Sequence, residues 1–134
     1  MRTGSALTTG LSSRRGLTLR RPVPRSKIDP DAVPEHLEPI AAAEWQRLAR
    51  ELADRATGAD VNLLTAAAVA YARWRTAEAS IAETGGPIVR QPTGLPGPNP
   101  WLAVANAALR QLVEIGRELG LSPASRGELR STRT

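Results

Sequence analysis

Two helix-start signals, with a helix-ending glycine just before the second, constrain the fold of this chain more than any other feature of its sequence. Asn99 can cap a helix, and Pro100 suits the first helical position, where a missing N–H removes no hydrogen bond. Gly120 can adopt the left-handed backbone that ends such a helix. Ser122-Pro123 then repeats the start signal, which predicts a second, short helix that leaves in a new direction. The turn between the two helices therefore fixes their mutual angle.

The helix predicted after Asn99 has a broad apolar face, and Gly116, with Ala105 and Ala108, marks where another helix could approach it closely. The narrow part of that face consists of Trp101, Ala105, Ala108, Leu112 and Leu119, and it is widened by Val104, Leu109 and Val113.

The short last helix is predicted from Pro123 to about residue 130, with a frayed tail over residues 131–134. Arg126 is on this helix, and two roles are open for it. It can contact DNA or a carboxylate of a neighbouring subunit, or it can form a salt bridge within its own chain, for example to Glu118 or Glu128. We favour a structural or intersubunit role, because a single arginine at a buried corner usually fastens that corner.

Two further helices are predicted upstream, and they should form an antiparallel hairpin. The first runs from Pro39 to about residue 53 and contains Trp45, which we interpret as a core or interface anchor. The second is capped by Asp60, runs to about Thr84 and ends at Gly85-Gly86. Antiparallel packing should then bring together Leu48, Leu52, Leu63 and Ala67.

Residues 85–100 contain too many prolines and glycines for a helix, but they can form a short β-hairpin at about residues 87–96. Ile88-Val89-Arg90 suits a strand, and Thr93-Gly94 suits the tip. The segment lacks the Gly-Lys-Ser/Thr signature, so a phosphate-binding loop is excluded.

The N-terminal part of the chain is strongly basic. Seven of the eighteen basic residues and none of the thirteen acidic ones lie in residues 1–27. This part therefore has a net charge of +7, and residues 28–134 have a net charge of −2, which together give the +5 of the whole chain. Residues 1–33 have few apolar side chains and no periodicity, which predicts a disordered arm. Guanidinium groups pair well with phosphates, so the candidate DNA contacts are Arg14, Arg15, Arg20, Arg21, Arg25 and Lys27.

The sequence argues against an enzyme. The chain has no cysteine and only one histidine, His36, so neither a cysteine nucleophile nor a metal cluster is expected. Nucleotide fingerprints are absent too, and we expect no cofactor and no metal. Because no apolar run is long enough to span a bilayer and no secretory signal is evident, a cytosolic location without membrane contact is expected.

The predicted fold is therefore mainly all-α. A helical hairpin, a third long helix and a short C-terminal helix form one domain over residues 34–130, preceded by the basic arm.

An ordered set of residues across this domain resembles the P27 family of phage terminase small subunits. The most specific element is the run from Leu119 to Arg126, Leu-Gly-Leu-Ser-Pro-Ala-Ser-Arg, which follows an Asn-Pro helix start. The family-motif residues are Trp45, Tyr71, Asn99, Pro100, Gly120, Leu121, Ser122, Pro123, Ser125 and Arg126. The weaker elements are Pro34 with Leu37, Leu48, Asp60, Leu64, Ala72-Arg73 and the run from Ile81 to Gly85.

The resemblance implies a non-enzymatic subunit that binds double-stranded phage DNA in the host cytoplasm. It also implies a ring-like homo-oligomer and a terminase large subunit as partner. The alternatives are a small helical transcription regulator and a structural phage head protein. The regulator is disfavoured because the last predicted helix is short for a recognition helix.

Overall fold

The computed structural model describes residues 27–121, 123 and 127, and within them the chain is mainly helical, as predicted. Helix α1 spans Pro39–Glu51, α2 spans Val61–Glu83 and α3 spans Trp101–Glu118. A 3₁₀ turn, Gly58–Asp60, precedes α2. Strands β1, Ile88–Arg90, and β2, Pro96–Pro98, lie between α2 and α3. Residues 1–26 lie outside this description, as do 122, 124–126 and 128–134.

Helix α2 is the centre of the fold, and both α1 and α3 pack against it. At 1.5 Å per residue, the 13 residues of α1 are about 20 Å long, whereas the 23 residues of α2 reach about 35 Å. The shorter helix α1 therefore covers only part of α2, and the α2–α3 pair continues without it.

The core is built from small side chains. Ten of the seventeen buried apolar residues in the described part of the chain are alanines, which lets the helices approach closely. Trp45 is the largest fully buried side chain, 1% exposed, and its indole Nε1–H donates to Thr65 Oγ1 at 3.2 Å. Its predicted role as an anchor is confirmed for the core. A smaller cluster beyond the end of α1 contains Ala77, Ile81 and Ala105.

The apolar faces are narrower than the sequence predicts. Leu63 is 38% exposed, and its neighbour Leu64 is fully buried against α1 instead. On α3, the residues predicted to widen the face stay largely in solvent, with Val104 and Leu109 42% exposed and Val113 54% exposed. These predictions were wrong. Because the buried side chains are small, a neighbouring helix covers only one narrow strip of each helix and leaves the residues beside that strip exposed.

Two local predictions about helices are also corrected. Asp60 does not cap α2: its carboxylate Oδ2 accepts the backbone N–H of Thr57 at 2.8 Å, so it closes the 3₁₀ turn that leads into the helix. Gly116 is buried, but a side chain at this position would meet Leu121 of the same chain. Within the described residues, Gly116 is therefore not a point of close approach by another helix.

The predicted β-hairpin is confirmed, and it extends two residues further than expected. Ile88 pairs with Pro98, Val89 with Gly97 and Arg90 with Pro96. Gly94 has φ +87°, which a glycine adopts without steric cost.

The chain joins the body earlier than the predicted arm boundary at residue 33. Lys27 forms an antiparallel bridge with Thr57, and Ile28 is only 6% exposed within the main core. A bond from Ala32 N–H to Asp29 O then makes a turn before α1. Residues 27–33 thus pack on the helical body.

Candidate functional site

Asn99, from the predicted helix start, joins three parts of the fold. Its side-chain Oδ1 accepts the Trp101 backbone N–H at 3.1 Å, as a helix cap does. Its Nδ2 donates to Thr84 Oγ1 at 2.7 Å and to the Gly86 carbonyl at 2.9 Å. Because the Trp101 N–H is a donor and the Gly86 carbonyl is an acceptor, the positions of Oδ1 and Nδ2 in the Asn99 amide are fixed. With 2% exposure, Asn99 links the end of α2, the hairpin and the start of α3.

Gly120 ends α3 as predicted. Its φ is +72°, its N–H bonds to Arg117 O at 3.2 Å, and the N–H of Leu121 bonds to Gly116 O at 2.8 Å. These two bonds form a Schellman motif. The chain therefore turns sharply after Leu119, and the next described residue, Pro123, is again helical and exposed.

Both ends of the described chain lie against one short segment, residues 55–57. Lys27 pairs with Thr57 at the N-terminal end. Arg55 Nη1 donates to the Gly120 carbonyl at 3.4 Å, close to the C-terminal end. We call this part of the body the entry–exit pole. Residues 1–26 and residues 122–134 therefore both begin at the entry–exit pole.

The charges of the chain divide between the body and its ends. Residues 27–121 contain nine basic and twelve acidic side chains. Residues 1–26 contain six arginines and no acidic residue, and residues 122–134 contain three arginines and one glutamate. The body is therefore net negative, and all of the excess positive charge belongs to the two segments that begin at the entry–exit pole.

Helix α1 carries a buried carboxylate that is paired with an arginine of the same helix. Glu44 is 6% exposed, and its Oε1 lies 2.6 Å from Arg47 Nη2 in a salt bridge. The hydrogen bond with Glu44 raises the pKa of the Arg47 guanidinium above its ordinary value, although partial burial acts against this. The i, i+3 spacing was the available signal for the pair, but burial of the carboxylate depends on the packing of α1.

Tyr71 and its neighbours form a small aromatic cluster on α2. The rings of Tyr71 and Trp74 have centroids 6.0 Å apart and are tilted by 59°. Arg75 Nη1 donates to the Tyr71 hydroxyl at 2.9 Å, and its guanidinium carbon lies 5.8 Å from the ring centroid. This motif residue therefore helps to hold a cation on the surface of α2.

A cleft of about 330 Å³ opens beside the N-terminus of α1, where α1 stops short along the α2–α3 pair. Among its lining residues, Ala41 and Ala72 are buried, whereas Trp101 and Val104 are 38% and 42% exposed. Polar groups at this cleft, which we call the α1-end cleft, come from His36, Glu38, Arg73 and Thr76. Sequence reasoning missed the cleft because it depends on the relative lengths of the helices.

The structure describes some of the predicted site residues and not others. Lys27 is exposed at the entry–exit pole, and Pro100 has helical backbone angles, φ −54° and ψ −28°, directly before Trp101. The positions described above are those of Trp45, Tyr71, Asn99, Gly120, Leu121 and Pro123. Outside the described residues lie Arg14, Arg15, Arg20, Arg21, Arg25, Ser122, Ser125 and Arg126.

The described residues contain no group of three or more acidic or histidine side chains placed to hold a metal ion. None of their helices is long and apolar enough to cross a membrane.

Comparison with known proteins gives one result that bears on function. A family model described as phage terminase, small subunit, matches residues 41–134, about 70% of the chain. No curated protein and no solved structure gives a significant match. The matching model does not specify the P27 family, which stays a prediction. Residues 1–40, which include the basic arm, lie outside the match.

Proposed function

This chain belongs to the phage terminase small subunit family, and we propose that it binds double-stranded phage DNA as a homo-oligomer and presents that DNA to the terminase large subunit. The large subunit supplies the ATPase and nuclease activities, so the small subunit needs no catalytic residue of its own. Genome packaging takes place in the host cytoplasm, and that is where we expect this protein to act.

The observation that supports DNA binding most strongly is that both basic segments are attached to the same part of the body. Six arginines in residues 1–26 and three in residues 122–134 are attached to one pole of a body that is otherwise net negative. Cationic side chains bind duplex DNA chiefly by releasing its condensed counterions. The excess of acidic residues on the body would disfavour a phosphate backbone along its sides. The duplex is therefore expected at the entry–exit pole, between or beside the two ends.

Salt-dependent binding tests this proposal. If all six arginines of residues 1–26 contact phosphates, deletion of that segment should reduce the slope of log K against log[salt] by about 5. The deletion should stop before Lys27, because Lys27 and Ile28 belong to the body. An unchanged slope and an unchanged affinity would refute a role for the N-terminal arm.

The C-terminal contribution has a matched control. Changing Arg130 and Arg133 to Gln removes two charges from the end of the chain, and it should reduce the slope by about 2. Changing Arg75 and Arg110 to Gln removes the same charge from exposed sites on α2 and α3. The control pair should leave the slope unchanged. Equal effects of both pairs would indicate that DNA lies along the body instead.

Partner binding is tested separately. Co-expression with the terminase large subunit of the same phage should give a complex that survives affinity purification. Light scattering should show a homo-oligomer at micromolar protein concentration. A protein that assembles but binds neither DNA nor the large subunit would instead fit the alternative of a structural head protein.

A further inference from the structure

The β-hairpin projects from the helical body and presents a leucine at its tip. Leu95 is 67% exposed, the largest exposure among the big apolar side chains of the described residues, and Ile88 follows with 59%. The two strands pair with each other and make few contacts with the helices. The hairpin is nevertheless held firmly at its base, because Asn99 N–H bonds to Pro87 O at 2.8 Å and its side chain bonds to Gly86 O.

An exposed leucine on a pre-organised support is a good anchor for binding, since little conformational entropy is lost when it docks. The α1-end cleft is a suitable acceptor. Its volume of about 330 Å³ is at the lower end for pockets that hold drug-sized molecules, but it can hold an aliphatic side chain. The cleft is lined by apolar groups, and it is open to solvent along Trp101 and Val104.

We propose that Leu95 of one copy of this chain inserts into the α1-end cleft of a neighbouring copy. This inference rests on the homo-oligomer in the proposed function, and it identifies the surfaces that form the contact. The contact is heterologous, because the surface that donates the leucine differs from the surface that accepts it. Heterologous contacts with a closing rotation build rings.

Charge supports a second copy as the occupant. Arg90 is the only charged residue in residues 87–98, and its Nη1 donates to Gly94 O at 3.1 Å, so the guanidinium is held beside Leu95. The cleft offers the carboxylate of Glu38, and Glu35 lies three residues before it. Arg73 also lines the cleft, so Glu38 is the group there that can attract the guanidinium of Arg90. The projecting leucine with its arginine thus matches the cleft with its glutamate.

The experiment uses two full-length variants, each of which removes one half of the contact. Leu95→Asp removes the leucine and leaves the cleft intact. Val104→Asp places a charge at the cleft and leaves the hairpin intact. Both positions are exposed, so the folded monomer should be retained, and circular dichroism checks this. The control is Val113→Asp, on the same helix as Val104, 54% exposed and outside the cleft lining.

Native mass spectrometry should find an oligomer for the unaltered protein and for Val113→Asp, and monomers for Leu95→Asp and Val104→Asp alone. Mixing the two monomeric variants should give a one-to-one dimer. The intact Leu95 of one variant can enter the intact cleft of the other, and the remaining two surfaces are both blocked. This complementation is expected if Leu95 and the cleft are the two halves of one contact.

Each alternative result overturns the inference in a distinguishable way. If both variants keep the full oligomer, the interface lies elsewhere, while the proposed oligomer stands. If they keep the oligomer but lose binding to the large subunit, that subunit occupies the cleft. If Val113→Asp also gives monomers, the exposed face of α3 is the interface. A monomeric unaltered protein would refute the oligomer and this contact together.

Discussion

Replacing Asn99 tests whether one buried amide joins α2, the hairpin and α3. Asn99→Ala removes the acceptor for the Trp101 N–H and the donor for the Gly86 carbonyl. Loss of the cap costs about 1 kcal/mol. A partly buried carbonyl left without a donor costs about 1–3 kcal/mol more. We therefore expect the free energy of unfolding to fall by about 2–4 kcal/mol.

Such a loss is large beside the total stability of a small domain, which is about 5–15 kcal/mol. It should lower the melting temperature by roughly 8–32 °C, because 1 kcal/mol corresponds to about 4–8 °C for a domain of this size. Urea denaturation followed by tryptophan fluorescence measures the change. All variants should be compared at one protein concentration, since an oligomer couples stability to concentration.

Asn99→Ser is the matched control. Its hydroxyl can still accept the Trp101 N–H, but the side chain is too short to donate to the Gly86 carbonyl and to Thr84 Oγ1 as the amide does. Serine should therefore recover about 1 kcal/mol of the loss seen with alanine. A loss below about 1 kcal/mol for Asn99→Ala, or full recovery of stability by Asn99→Ser, would refute the proposed linking role.

Three further stability predictions follow from local geometry, and each can be measured by urea denaturation. Gly120→Val should destabilise by about 1 kcal/mol or more, because φ is +72°, and a neutral result would contradict the left-handed turn. Gly116→Ala should stabilise by about 0.5–1 kcal/mol, since the new Cβ would lie 3.5 Å from Leu121 Cδ1, an ordinary contact; destabilisation would show that the site is tighter. Arg47→Met should cost about 1–2 kcal/mol by leaving buried Glu44 without its cation, and changing both residues to Met should recover most of it. The hydrogen bond with Glu44 raises the pKa of Arg47 above its ordinary, strongly basic value. The contribution of its charge is therefore complete below the ordinary pKa and is lost only as the pH rises through the raised one, so it should be constant from about pH 6 to 9.

The ends of the helices were predictable from sequence, because the signals that end a helix act over only a few residues. Asn99-Pro100 begins α3, Gly120 ends it, and the hairpin tip falls at Gly94. Asp60 is an instructive exception. It lies directly before α2, as predicted, but its carboxylate accepts the N–H of Thr57 in the 3₁₀ turn and no N–H of the helix. Local signals thus give the position of a helix start to within a few residues.

The sequence by itself also determined the uneven distribution of charge and the order of family-motif residues, because both are properties of the linear chain. Tertiary structure decided the rest. Leu63, Leu109 and Val113 belong to apolar faces by periodicity, yet they remain exposed because a neighbouring helix covers only one narrow strip. The α1-end cleft exists because α1 is shorter than the pair it packs against. The meeting of Lys27 and Gly120 at residues 55–57 depends on contacts between segments that are up to 65 positions apart. Periodicity shows which residues can be buried, and only the placement of the neighbouring helices determines which of them are.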